Sequence, residues 1–341
     1  MINLCSTTDS PSSANSRPEW IRQLQNSICT ATDVSRHLPL SEAALEEITS
    51  TAGRYPFRIT PYYLQLARAA SHADPILRQC LPSKEELMHH PEGSPDPFQE
   101  AANSPVPGLI RRYRDRALLL LDTQCAVRCR HCFRKRHWKG AGAPVTPEKM
   151  DRIAGFLETH PEIREVIVSG GDPLMLEDAE LGSILARLCT VSSIELIRVA
   201  TRLPATLPHR VTDALCGVLK QHKPIWVVAH FNHSWELTDT SVAACRKLVD
   251  AGLPMVSQTV LLKGVNDETG ILRELFTGLL RIGVKPYYLF HGDPVDGAMH
   301  FRVPVERGRQ IMRELRASTS GLAIPTYAAD EAGAKSKTAL V

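Results

Sequence analysis

The chain has 341 residues, 43% of them hydrophobic, with a formal charge of only +3. It can build a core without a disulfide framework, and the small net charge gives no ground for a nucleic-acid-binding protein. No apolar run approaches the ~20 residues of a membrane span, the polar N-terminal stretch lacks a secretory signal's apolar core, and nine cysteines without a paired pattern suit a reducing cytoplasm.

Residues 1–18 are rich in Ser, Thr and Pro and are expected to be a disordered tail. Helical patterning follows at Glu19–Cys29, Ser41–Thr51, Thr60–Ser71, Asp74–Leu81 and Ser83–Met88, giving an N-terminal helical region that closes with a linker at Pro91–Pro107. The expected divisions are 19–107 for this region and linker, 108–322 for the main domain and 323–341 for a C-terminal segment. In the main domain, strand-like runs stand at Ala117–Asp122, Glu165–Ser169, Glu195–Thr201, Ile225–His230, Met255–Leu262 and Lys285–Phe290. Their Val, Ile and Leu content with little alternation fits strands covered on both faces. Helical segments alternate with them at Pro147–His160, Asp178–Thr190, Pro208–His222, Thr238–Ala251, Glu268–Ile282 and Val305–Ser318, before a last short run at Ala323–Ala328. Alternating βα units of this kind fit either an incomplete barrel or an open doubly wound sheet.

Cys125, Cys129 and Cys132 form a CxxxCxxC triad at the end of the first apolar run, with no fourth cysteine nearby. Thiolates hold iron–sulfur clusters, usually four to a cubane, so three would leave one iron open for chemistry. The spacing by itself also admits structural zinc, although zinc ordinarily takes a fourth Cys or His. Every strand-like run ends in polar or glycine residues: Ser169-Gly170-Gly171-Asp172, Thr201-Arg202-Leu203-Pro204, His230-Phe231-Asn232-His233, Lys263-Gly264-Val265-Asn266-Asp267 and His291-Gly292-Asp293. Each alone reads as a turn, but together they place chemistry at one end of the strands. Gly170-Gly171, lacking Cβ atoms, would let the backbone approach a ligand. The basic stretch Arg128–Lys139 reads as an anion site or solvated face before it reads as an RNA-binding patch.

The triad is the main motif of radical S-adenosylmethionine (SAM) enzymes, which the chain resembles. Tyr113–Cys132, Ser169–Leu174, Thr201–Pro204, His230–His233, Ser257–Asp267, His300–Pro304 and Lys337-Thr338 look like the lysine 2,3-aminomutase family within them. The resemblance implies an α/β fold, a partial (β/α)6 TIM-type barrel with an N-terminal helical extension, in preference to the doubly wound sheet. It implies a [4Fe-4S] cluster on Cys125, Cys129 and Cys132, and SAM near Ser169, Gly170, Gly171, Asp172 and Gln258. It also implies pyridoxal 5′-phosphate (PLP) held as a Schiff base by Lys337, with Lys335 as a competing candidate, and Arg116, Arg112 and Tyr113 near PLP.

For the substrate, the resemblance implies L-lysine, its carboxylate on Arg134 and its ε-ammonium on Asp293 and Asp330, since a buried ammonium needs paired carboxylates. Other cations of the basic stretch would neutralise cluster and cofactor charge. The implied reaction is isomerisation of L-lysine to β-lysine, with a flavodoxin- or ferredoxin-type reductant. Arg111–Tyr113, Cys125–Phe133, Pro286–Leu289 and a chain stopping soon after Lys337 look most like the bacterial elongation factor P β-lysylation branch, with its β-lysine ligase as a partner. Catabolic lysine aminomutases, a radical SAM enzyme without PLP, and a zinc-bound RNA-binding protein are the alternatives.

Overall fold

In the computed structural model, which describes residues 17–140, 145–222 and 224–340, the apolar runs join one sheet. Its strands are β1 (Leu109–Ile110), β2 (Arg116–Leu120), β3 (Glu165–Ser169), β4 (Leu196–Thr201), β5 (Ile225–His230), β6 (Met255–Leu261), β7 (Val284–His291), β8 (Thr326–Ala329) and β9 (Thr338–Ala339). They pair strictly in chain order, β2 to β8 all parallel, with β1 and β9 antiparallel at the two edges. A doubly wound sheet reverses strand order at a switch point. This one never does, so it winds in one direction as a barrel does, and β1 and β9 do not pair to close it. The expected disordered tail lies almost wholly outside the described residues.

The helices are α1 (Glu19–Gln25), α2 (Ala31–Ser35), α3 (Glu42–Arg54), α4 (Pro61–Leu64), α5 (Pro75–Cys80), α6 (Pro147–Glu158), α7 (Asp178–Cys189), α8 (Leu203–Thr206), α9 (Asp213–Gln221), α10 (Asp239–Asp250), α11 (Thr269–Arg281) and α12 (Val305–Ser318). Those of the barrel bury one stripe each, such as Leu181, Ile184, Leu185 and Leu188 in α7, at the spacing of a helix face. Ala117, Leu119, Val166, Val168, Ile197 and Val199 sit in the same core. The alternate residues, including Leu118, Ile167, Ala200 and Val228, line the barrel interior. Thr146, Thr212 and Thr238 cap α6, α9 and α10 by accepting the backbone N–H of Lys149, Leu215 and Ser241.

The N-terminal segment has its own core of Ile28, Val34, Ile48, Phe57, Tyr63, Ile76 and Leu77, into which Val127 of the cysteine loop packs. Backbone bonds from Arg128 N to Arg58 O (3.0 Å) and from Arg130 N to Gln79 O (2.8 Å) tie that loop to the same layer.

Several expected helices are shorter. Only Pro61–Leu64 of the Thr60–Ser71 stretch is α-helical, because the Asp74 carboxylate takes the N–H groups of Arg68 (2.7 Å) and Ala69 (3.0 Å). The Pro208–His222 stretch divides into a 3₁₀ turn and α9, since Thr212 starts a new helix with its own cap. Ser83–Met88 contains a single 3₁₀ segment at Lys84–Leu87. The short α2, α8, β1 and β9 carry too little periodicity to read from sequence.

Candidate active site

A cavity of about 730 Å³ occupies the barrel interior, and every residue expected at the site borders it except the competing candidate Lys335. Cys125, Cys129 and Cys132 line it, as do Ser169, Gly170, Gly171, Asp172, Arg134 and Gln258, and so do Arg112, Tyr113, Arg116, Asp293, Asp330 and Lys337. Leu118 through Phe290 supply an apolar wall from successive strands.

The cysteine loop is a tight turn, with Cys132 N bonding Cys129 O at 2.9 Å. Burial pushes the Cys125 thiol well up and the Cys132 thiol up to about 11, so protons must leave as metal enters. Among the described residues no three His, Cys, Asp or Glu side chains converge on a single ion. His131, between the last two cysteines, instead lies edge-on to His230 with ring centroids 5.6 Å apart. Three cysteine sulfurs bordering one cavity are a donor set that fits a three-cysteine iron–sulfur cluster.

The glycine pair borders the cavity, and its missing side chains also make room for the neighbouring loop. A Cβ on Gly171 would meet the Gln124 carbonyl oxygen at 2.1 Å, and one on Gly170, which has φ +120°, would meet Asp122 O at 2.5 Å. The cysteine loop's backbone crosses directly over the pair and is held there by Asp172 N to Gln124 O at 2.8 Å. The glycines thus seat the loop. The Asp172 carboxylate is likewise occupied: it accepts Leu174 N (3.1 Å), Thr201 Oγ1 (2.8 Å) and Arg202 N (2.6 Å), joining the ends of β3 and β4. Burial raises its carboxyl to about 6.

At the C-terminus the chain folds back on itself. Thr338 and Ala339 pair with Ala329 and Ala328, so Asp330 and Lys337 face each other across the connecting turn. Lys337 Nζ donates to Asp330 Oδ2 at 3.2 Å and lies 5.3 Å from the Phe290 ring centroid. Lys335 is exposed and does not border the cavity. Asp330 also accepts from Arg112 (3.0 Å) and Tyr113 (2.9 Å), which with Lys337 hold its carboxyl below the usual range despite burial. Asp293 goes the other way, raised to about 7 by burial and by Asp330. Arg116 stacks 4.3 Å from the Tyr113 ring centroid. An amine and two arginines bordering one cavity fit an aldehyde-bearing phosphate ligand such as PLP.

Arg134 borders the cavity, but its Nε and Nη2 donate to Glu100, at 3.0 and 2.7 Å, and Nη1 reaches Gly170 O at 3.4 Å. Its neighbours depart from the expectation that they neutralise cofactor charge. Arg130 and Lys135 instead neutralise the buried Glu86, and Arg136 neutralises Glu100 and Asp96. Sequence reasoning also passed over Glu100, Glu236 and Arg202. Arg202 had a signal, since it stands in the Thr201–Pro204 strand end, while Glu100 lies in a stretch read as linker.

Residues 122–275 match the Radical SAM superfamily. Enzymes of that superfamily work with a [4Fe-4S] cluster and SAM. An L-lysine 2,3-aminomutase of Bacillus subtilis (strain 168) is 39% identical over 322 residues, which cover 94% of this chain and 68% of that protein. An L-lysine 2,3-aminomutase of Escherichia coli (strain K12) is 38% identical over 327 residues, 95% of each. A glutamate 2,3-aminomutase of Clostridioides difficile (strain 630) is 37% identical over 319 residues, covering 94% of this chain and 75% of that protein. With such similarity along nearly its whole length, the chain belongs to the lysine 2,3-aminomutase family of radical SAM enzymes.

Proposed function

We propose that this enzyme is an L-lysine 2,3-aminomutase, moving the α-amino group of lysine to the β-carbon with a cluster, SAM and PLP. The observation that carries the reading is the position of Lys337, opposite Asp330 and within the cavity that the three cysteines also border. When bound, the cluster and SAM supply a hydrogen-abstracting 5′-deoxyadenosyl radical and PLP supplies delocalisation. The chain's own residues bind and orient. Cys125, Cys129 and Cys132 are the cluster ligands, and the Gly170 carbonyl with Ser169 and Gln258 forms the SAM wall. Lys337 is the amine for PLP, with Arg112, Tyr113 and Arg116 as its phosphate side. Arg134 takes the substrate carboxylate, and Asp293 with Asp330 takes the ε-ammonium.

The acid pair favours lysine over glutamate, because a second carboxylate beside Asp293 and Asp330 would meet like charge in a low-dielectric cavity. Within the family we place the enzyme in elongation factor P β-lysylation, with a flavodoxin- or ferredoxin-type reductant and a β-lysine ligase downstream. That placement is supported by Arg111–Tyr113, Cys125–Phe133 and Pro286–Leu289. Anaerobic enzyme with dithionite, SAM and PLP should convert L-lysine to β-lysine and leave L-glutamate unchanged, read by chromatography of the amino acids. Turnover of glutamate but not lysine would reverse the substrate assignment. A β-lysyl adduct on a lysine side chain of elongation factor P in cells, read by mass spectrometry of the modified peptide and lost on deletion of the enzyme, would test the physiological placement.

A further inference from the structure

Arg202 is a buried cation for which the proposed reaction has no assigned use. It follows β4, is 7% exposed, and its Nη1 donates to Cys129 Sγ. Its Nη2 is held by Gln79 Oε1 (2.6 Å), Glu236 Oε1 (2.7 Å) and Tyr63 OH (3.0 Å), while Asp172 fixes its backbone N–H at 2.6 Å. Glu236 is fully buried and is itself fixed by Tyr63 OH (2.7 Å) and by the backbone N–H groups of Asn232 (2.6 Å) and His233 (3.2 Å). Gln79 accepts a further bond from Asn232 Nδ2 at 2.9 Å.

Groups from α4, α5, the loop after β3 and the turn after β5 therefore aim one guanidinium at one cysteine sulfur. Withdrawing an ion pair from water costs several kcal/mol per ion, and good geometry only offsets that cost. Apolar residues of the same volume would serve packing as well. Cys132 is met differently, by the backbone N–H of Arg134, so the three ligand sulfurs are not equivalent.

We infer that Arg202, with Glu236 as its counterweight, sets the reduction potential of the cluster through the Cys129 sulfur. This rests on the reading that the three cysteines hold a cluster. Reduction adds an electron to a group already carrying anionic thiolates. A charged donor on a ligand sulfur stabilises the reduced form more than the oxidised one and raises the potential. The Glu236 carboxylate acts oppositely on the same centre and limits the rise.

The test uses the full chain, reconstituted anaerobically with iron and sulfide and without SAM or substrate. Iron content and folding are measured, and the cluster is titrated potentiometrically with electron paramagnetic resonance as the readout. Arg202→Gln should make reduction about tenfold less favourable, a shift of about 59 mV to more negative potential for one electron. Glu236→Gln, which leaves an acceptor oxygen for Tyr63 and the backbone, should shift the potential upward. Should Arg202→Gln fail to fold or to hold iron, Glu236→Gln decides alone, and a potential at or below wild type overturns the inference. Unchanged potentials in both variants, with wild-type iron content, overturn the role of Arg202 and leave the cysteine assignment intact. A wild-type chain that assembles no four-iron cluster overturns both.

Discussion

Asp293 and Asp330 border one cavity yet titrate in opposite directions. Asp330 meets Lys337, Arg112 and Tyr113, which keep its carboxyl ionised to below the usual range. Asp293 lies deeper, and burial followed by repulsion from Asp330 raises it to about 7. Below that pH Asp293 carries a proton and offers a cation nothing to pair with; above it the site gains a second negative charge. Lysine's ε-ammonium, with a pKa near 10.4, stays protonated throughout this window. Calorimetric lysine binding should therefore tighten as pH climbs from about 6 to about 8, approaching tenfold per unit on the acid side. Asp293→Asn should bind more weakly at pH 8 and lose that slope; a variant that keeps the slope would place the titration elsewhere.

Lys337 presents the second test at a single residue. Its cavity position predicts that borohydride reduction traps PLP on the wild-type chain and on Lys335→Ala, and that Lys337→Ala abolishes trapping, read by mass spectrometry of the labelled peptide. Label found on Lys335 would show that the wrong lysine had been assigned. Asp330 bears on the same site from the other direction, because it pairs with the lysine amine at 3.2 Å. The carboxylate proposed for the substrate ammonium thus pairs with an internal amine as well.

Among the elements, the loop after β3 and the loop after β2 form one unit. The backbone of Asp122–Gln124 crosses Gly170 and Gly171 too closely for any side chain, and Asp172 bonds that unit onward to the end of β4. Gly171→Ala sets a methyl against backbone at 2.1 Å, which no rotamer change relieves. Such overpacking costs about 1–3 kcal/mol or more, and here the loop that moves carries the cysteines. The variant should show a lower Tm together with reduced iron incorporation. A lower Tm with full iron content would mean that the strain is relaxed away from the triad. The edge strand β9 plays the matching part for Lys337. Two residue pairs with β8, plus Leu340 N to Tyr327 O at 2.9 Å and Arg309 Nε to Leu340 O at 2.7 Å, anchor the tail that presents the lysine.

For the molecule as a whole, the N-terminal layer does more than lead into the barrel. Glu86, fully buried, pairs with Arg130 at 2.7 Å and Lys135 at 2.8 Å, both from the segment just around the last cysteine. Lys135 also donates to Gly297 O at 2.6 Å, so one anion and two cations link the layer, the cysteine loop and the segment after β7. Burial lowers the Lys135 amine to about 8, and Glu86 is what keeps it from falling further. Glu86→Ala strands two buried cations and should destabilise the chain by about 3–5 kcal/mol, measured by chemical denaturation. A loss below ~1 kcal/mol would mean that water reaches the cluster of charges.

The strand runs of the main domain were legible in the sequence because their Val, Ile and Leu content and length stand out locally, and the cysteine triad because three sulfurs within eight residues is a local pattern too. Glu165–Ser169, Ile225–His230 and Val305–Ser318 keep their expected limits. What the tertiary structure decided are relations between distant segments. One-way strand order separates a barrel from a doubly wound sheet, and the β8–β9 pairing brings Lys337 to the cavity while Lys335 stays outside it. Glu100, Arg202 and Glu236 have no local signature, since a charge joins a site only through partners that the fold brings to it from far along the chain. Burial then sets what each can do, because the free energy of a charge depends on its surroundings, which no stretch of sequence carries alone.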